Sequence, residues 1–382
     1  MKFARLICAA ALAGCVTSPS PPETPLRGAA LDVRVEALMA REHVVGMAVA
    51  VVERGEITHV GAYGFRNREK ALPLRPDTIM YGASVTKAAF AYMVMQLVDE
   101  GRIDLDRSIA DYLPRPLPEF EDYADLAGDE RWRKLTPRIL LSHTSGFANM
   151  RWLEADRRLR FHFTPGAHYA YSNEGIWVLQ TVLEKGLGLD VGAEMQRRVF
   201  DRFGMRRTSM QWRDDFADNL ADGYAIDGAF EPHDRRDNVA AAGSMDTTIE
   251  DQARMWRGMF AGEGLSPAAR AEWVRAQFAI RTTQKFPTIQ FYNTHDRRGE
   301  AINLSASLVG ETWNGPNGRY FSKGGHNDWT GNLVICEEAG ERCLVMLGNS
   351  VRAEIIFPEV AALVLGETRF PFWWAYPELV GR

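Results

Sequence analysis

Clustered positive charge is missing from this sequence. Lysine and arginine total 45 against 50 aspartates and glutamates, for a net charge of -5, and no basic run or aromatic-basic interleaving occurs. A nucleic-acid partner therefore has no electrostatic footprint. Metal-ligating patterns are missing too: neither H-E-x-x-H nor cysteines paired at zinc spacing occur, so no metal and no cofactor is implied. The strand-turn-helix elbow G-x-S-x-G is absent, which disfavours an α/β-hydrolase. No internal repeat, heptad array or second membrane-spanning run stands out. What remains is a 382-residue chain, 46% hydrophobic, able to bury one large core or two closely packed ones.

The N-terminus reads as an export signal. Lys2 and Arg5 precede the apolar stretch Leu6 to Ala13, which is too short to span a bilayer. The stretch ends at Leu12-Ala13-Gly14-Cys15, small residues before a cysteine, which resembles the lipobox of bacterial lipoproteins. That resemblance implies removal of residues 1–14 and lipidation of Cys15. The alternative is an ordinary signal peptide with a coincidental cysteine, and either reading exports the protein to the cell envelope. Pro19, Pro21, Pro22 and Pro25 among Ser, Thr and Glu cannot build a core, so residues 15–29 form a tether. Membrane contact is expected through the lipid anchor only, with the enzyme facing the periplasm.

Cys8 leaves with the signal, so Cys336 and Cys343 form the one pair in the body. They flank a polar turn between the apolar runs Leu333-Val334-Ile335 and Leu344 to Leu347, which places them opposite each other on a hairpin. They either bridge in an oxidising compartment or pack as small hydrophobes.

In the body, Val33, Val35, Leu38 and Met39 recur at helical spacing, and Gly46–Val52 then turns β-rich and pairs with Ile57–Tyr63 across Arg54-Gly55-Glu56. The run Ser84–Val98 is apolar nearly all round and closes at Gly101, the pattern of a buried helix. Residues from about 100 to 225 carry helical patterns and Pro-marked turns, and short strands return from about 302 to 350. The expected organisation is a hydrolase domain over 30–382, with a sheet part (about 30–83 and 226–382) and a helical part (about 84–225). The cleft between the two is the natural site. The cluster Phe370-Pro371-Phe372-Trp373-Trp374 is expected to pack on the body.

Three short elements carry chemistry. Ser84-Val85-Thr86-Lys87 places an amine one helical turn from a hydroxyl, where it can take the hydroxyl proton at the positive end of a helix. Tyr171-Ser172-Asn173 lies on a loop entering a helix, where a phenol can relay a proton and an amide can hold the lysine and a substrate carbonyl. Lys323-Gly324-Gly325-His326 lies on a strand whose glycines permit close approach of the backbone to a bound acyl group. The first two have bland alternatives: a capping serine with a solvated lysine, and a buried tyrosine with a capping asparagine.

Together, in this order and with these gaps, they resemble the S-x-x-K, Y-x-N and K-T-G boxes of class C β-lactamases, penicillin-binding esterases and D-aminopeptidases. The stretches Leu140 to Phe147 and Ala241 to Ser244 are similar to that family as well. The resemblance implies a β-lactamase-like fold, an antiparallel sheet flanked by helices beside a helical domain. It also implies Ser84 as the acylated nucleophile, Lys87 and Tyr171 sharing acid and base work, and Asn173 and Lys323 holding the substrate. The oxyanion hole would be the backbone N–H groups of Ser84 and His326. Glycine at position 324, in place of Thr or Ser, removes the hydroxyl that helps hold a substrate carboxylate. It is expected to leave the wall of the site open. His143 and the His326 side chain are expected to be structural. The implied activity is serine hydrolysis of an ester, β-lactam or D-amino-acid peptide through an acyl-enzyme. The competing class is a silent binding protein on the same fold that recognises cell-wall peptides or a partner protein.

Overall fold

The computed structural model describes residues 25–379. The signal segment, Cys15 and the tether as far as Thr24 lie outside the described residues, as do residues 380–382.

Nine strands form one antiparallel sheet. In chain order they are β1 (Gly46–Glu53), β2 (Glu56–Asn67), β3 (Leu72–Pro73), β4 (Phe278–Ala279), β5 (Ser305–Ala306), β6 (Glu311–Gly315), β7 (Gly318–Asn327), β8 (Thr330–Glu337) and β9 (Arg342–Gly348). Across the sheet the order is β3-β2-β1-β9-β8-β7-β6-β5-β4. The hairpin of β1 and β2 turns through Arg54 (φ 51°) and Gly55 (φ 81°), with Glu53 paired to Glu56. Two consecutive positive φ values give the turn whose twist matches paired strands.

β1 is apolar without alternation because it is covered on both faces. Ala48, Ala50 and Val52 join one core cluster, while Met47, Val49 and Val51 join another. The second face is covered by α1 (Gly28–Glu42) and α5 (Ala353–Leu365). On α1 the buried stripe is Leu31, Val35, Leu38 and Met39, at positions i, i+4, i+7 and i+8; Val33 points outward at 64% exposure. The first face carries α4 (Ile249–Ala261) and the cluster around α2 (Thr86–Asp99). Every α2 residue from Thr86 to Leu97 is buried, which explains why its sequence has no polar face.

Between α2 and α3 (Asn173–Thr181) the chain is more broken than its helical patterns suggest. It holds short 3₁₀ turns and one five-residue helix, Pro137–Leu141. Pro114, Pro116, Pro118 and Pro165 fix φ and remove donors, so longer helices cannot propagate there. Cys336 and Cys343 face each other on β8 and β9 with Cα atoms 4.1 Å apart and are joined by a disulfide. The aromatic C-terminal stretch packs on the body: Trp374 is buried, and its indole N–H donates to Thr282 Oγ1 at 2.9 Å.

Candidate active site

Ser84 sits in a 3₁₀ turn (Ala83–Val85) that runs directly into α2. Ala83 immediately before it adopts φ 46°, a strained conformation for a residue with a Cβ, and Thr86 Oγ1 donates to the Ala83 carbonyl at 2.6 Å. Such strain persists only where the surroundings over-determine it, and here it turns the serine out of a buried segment. Ser84 is partly exposed while Ala83, Val85 and Thr86 are buried. Among the described residues, nothing accepts a hydrogen bond from its backbone N–H.

One turn on, Lys87 reaches back. Its Nζ lies 2.9 Å from Ser84 Oγ and also donates to the Ala242 carbonyl at 2.5 Å. The Ala241–Ser244 stretch thus supplies the lysine's anchor, and no hydrogen bond joins Lys87 to Asn173. Burial pushes the Lys87 amine well below its ordinary value, and the charges of Lys323 and Lys285 add to the shift against Glu311.

Tyr171 and Asn173 enter at the start of α3, whose N-cap is Ser172, accepting from the Gly175 N–H at 3.1 Å. The Tyr171 ring lies 5.1 Å from Lys87 Nζ and 5.3 Å from Lys323 Nζ, so the three boxes meet around one phenol. Burial raises the phenol far above its usual range, and hydrogen bonding with the Ser84 hydroxyl opposes this. Asn173 Oδ1 is buried with no partner among the described residues, an unsatisfied acceptor two residues after the phenol.

β7 delivers the third box. Gly325 lies against the serine turn, and Gly324 lies beside the Tyr376 hydroxyl. Lys323 is buried, and its Nζ donates to its neighbour's carbonyl, Gly324 O, at 2.7 Å. Burial and the Lys285 charge, opposed by Glu311, lower the Lys323 amine to about 7. The wall at Gly324 is not open: a Cβ there would stand 3.5 Å from the hydroxyl of Tyr376, which occupies the room a larger side chain would take. The C-terminal segment, remote in sequence, fills the gap. His326 keeps its side chain away from the serine, with Nδ1 2.8 Å from the buried carboxylate of Glu354.

Lys285 and Glu311 escaped sequence reasoning, and His143, expected to be structural, lies against the phenol. His143 stacks on Tyr171 with ring centroids 4.2 Å apart, and its Nδ1 accepts the Ser172 N–H at 3.2 Å. Burial and the nearby lysines push its imidazole well below the ordinary range, so it is neutral. Lys285 and Glu311 form a buried ion pair at 2.5 Å, with Lys285 Nζ 4.9 Å from the Tyr171 ring centre. His143 stood within a stretch already marked by resemblance; Lys285 and Glu311 had no signal of their own.

The beta-lactamase family profile matches residues 31–359. Among curated relatives, esterase EstB of Burkholderia gladioli is 29% identical over 255 residues, covering 58% of this chain and 62% of its own. Penicillin-binding protein 4 of Amycolatopsis lactamdurans is 30% identical over 188 residues, 46% of this chain and 47% of its own. The chain thus spans less than two thirds of the length of these relatives. A solved D-alanine carboxypeptidase AmpC from Burkholderia cenocepacia superposes with a TM-score of 0.68 at 20% identity, covering 88% of this chain and 97% of that one, which shows the shared fold. With the profile spanning most of the chain, the protein belongs to the beta-lactamase family.

Proposed function

We propose that the protein is a serine hydrolase that opens an ester or amide carbonyl through an acyl-enzyme on Ser84, and that neutral short-chain esters are its preferred substrates. The observation that carries the reaction is the 2.9 Å contact between Ser84 Oγ and the amine of a buried lysine, which burial pushes well below its ordinary range. A neutral amine can accept the serine proton as Oγ attacks the carbonyl carbon. The Ser84 N–H and the backbone N–H of His326 receive the developing oxyanion. Tyr171, whose phenol stays protonated, passes a proton to the departing oxygen or nitrogen, and Lys87 returns its own to Tyr171. Water then attacks the acyl carbon by the reverse relay and frees Ser84. The opposite pKa directions support Lys87 as resting base and Tyr171 as acid.

The substrate preference rests on the face at Gly324. There the strand offers no hydroxyl, and Tyr376 stands beside it in the field of Glu354 and Glu311, which together with burial keeps its phenol protonated. The same field opposes a substrate carboxylate, and Lys323 at about 7 is only partly charged against it. EstB, which the chain matches over the larger share of its length of the two relatives, bears the name esterase. Export, with Cys15 as lipid anchor, belongs to the same reading and rests on the N-terminal residues alone.

Labelling with a fluorescent phosphonate tests the reaction. The expected result is one adduct in the wild type and none in a folded Ser84→Ala. A wild type that binds acyl compounds without forming an adduct would identify a silent binding protein instead.

A further inference from the structure

The site holds one lysine more than its chemistry requires. Lys87 and Lys323 belong to the reacting group, but Lys285 comes from an irregular segment after β4, is 8% exposed, and makes its ion pair with Glu311 at the start of β6. It is fixed from several sides. Its backbone N–H donates to the Trp374 carbonyl at 2.9 Å, and its Nζ lies 5.4 Å from the Trp374 ring and 5.7 Å from that of Phe286. Phe286 in turn packs edge-on to Tyr171 at 5.3 Å. A buried ion pair gives little net stability, because desolvation consumes most of the Coulomb gain. A structural purpose is therefore a poor explanation for placing this one against the catalytic phenol.

We infer that Lys285 and Glu311 form a positioning pair for acylation: they set the charge around Lys87, Lys323 and Tyr171, and so fix the pH range in which the serine can be activated. The inference rests on the reading of Lys87 as the base. The groups facing Lys87 and Tyr171 are Lys323 from β7, Glu311 from β6, Lys285, His143 from the loop after Pro137–Leu141, Tyr169, and Tyr81 ahead of the serine turn. His143 is neutral and the phenols are protonated, so among these groups Glu311 is the one carboxylate, set against the cations of Lys285 and Lys323. Burial raises the Glu311 carboxyl, but the charges of Lys285 and Lys323 outweigh burial and keep it ionised. The Lys285 cation lowers both neighbouring amines and Glu311 raises both, so the two members act in opposite directions.

The test is the pH profile of kcat/KM for a p-nitrophenyl ester in four variants of the whole protein. Lys285→Met removes a cation, so the acid limb from Lys87 and the alkaline limb from Lys323 should both move up, on the order of one pH unit for a unit charge several ångströms away. Glu311→Gln should move both down. Lys285→Arg should leave them in place. The double variant Lys285→Met/Glu311→Gln leaves no unpaired buried charge and should return them toward the wild-type position, guarding against misfolding of either single variant. A lowered plateau with unmoved limbs in folded Lys285→Met and Glu311→Gln would reduce the pair to a structural role and overturn the inference. Hydrolysis that survives Ser84→Ala would instead overturn the underlying reading of the nucleophile.

Discussion

Gly325 on β7 lies against the backbone of Ser84: a Cβ built on this glycine would come within 3.1 Å of the Ser84 nitrogen and 2.7 Å of the Gly82 carbonyl oxygen. Both atoms are main chain and cannot swing aside. Gly325→Ala must therefore push the strand away from the serine turn. Because a misplacement of about 1 Å can cost roughly 10²-fold in rate, kcat/KM should fall by about that factor. Gly324→Ala meets only ordinary contacts at 3.5 and 3.7 Å and should keep near wild-type rates. Equal activity of the two variants in an ester assay would refute this account of the strand.

Removing the acid or the base should be costly without unfolding the protein. Lys87→Met and Tyr171→Phe are expected to slow acylation by about 10² to 10⁴-fold, the usual range for a lost positioned proton carrier. Single-turnover acylation followed by mass spectrometry would check this, and wild-type rates in both would sink the mechanism.

The two amines set a bell-shaped pH dependence. Lys87 must be neutral to accept a proton and lies well below its ordinary range, so activity rises as it deprotonates. Lys323 contributes as a cation and loses its proton around pH 7, so activity falls as pH climbs past that value. In Lys323→Met the alkaline limb should disappear from the kcat/KM profile while the acid limb moves up, since one cation that lowers Lys87 is gone. An alkaline limb unchanged in that variant would show that it belongs to another group.

Substrate choice should follow position 324. The wild type should favour a p-nitrophenyl short-chain ester over a penicillin or a D-Ala-D-Ala peptide. Gly324→Thr should improve the carboxylate substrates by roughly 10-fold or more, the worth of one hydrogen bond to a charged group. Since the Tyr376 hydroxyl occupies the adjacent space, pairing Gly324→Thr with Tyr376→Phe should improve them further. A wild-type preference for the carboxylate substrates would contradict the proposed specificity.

Anchoring is tested at Cys15. Radiolabelled palmitate should enter the wild type, which should fractionate with membranes, and should not enter Cys15→Ser. Equal labelling of the two would remove Cys15 as the lipid site.

Ser84, Lys87, Tyr171, Asn173 and Lys323 were legible in the sequence because three short motifs in this order resemble those of a known family, while spacing by itself tied only Lys87 to Ser84. A lysine three residues after a serine on a helix must face it, and a strand with two glycines must offer its backbone. The hairpin of β1 and β2 and the buried helix α2 were legible because apolar pattern and turn residues are read within a few positions. The buried stripe of α1 was misplaced by one residue, Val33 for Leu31, because composition does not say which side of a helix faces the sheet. Tertiary structure alone decided what surrounds these residues. Tyr376 reaches Gly324 across more than fifty positions, and Lys285 meets Glu311 across twenty-six. Neither pairing has a local signature. Each exists because burial of the sheet faces and of the aromatic C-terminal segment draws distant stretches onto β6 and β7, and it is there, in a dry interior, that the amines lose their ordinary proton affinity.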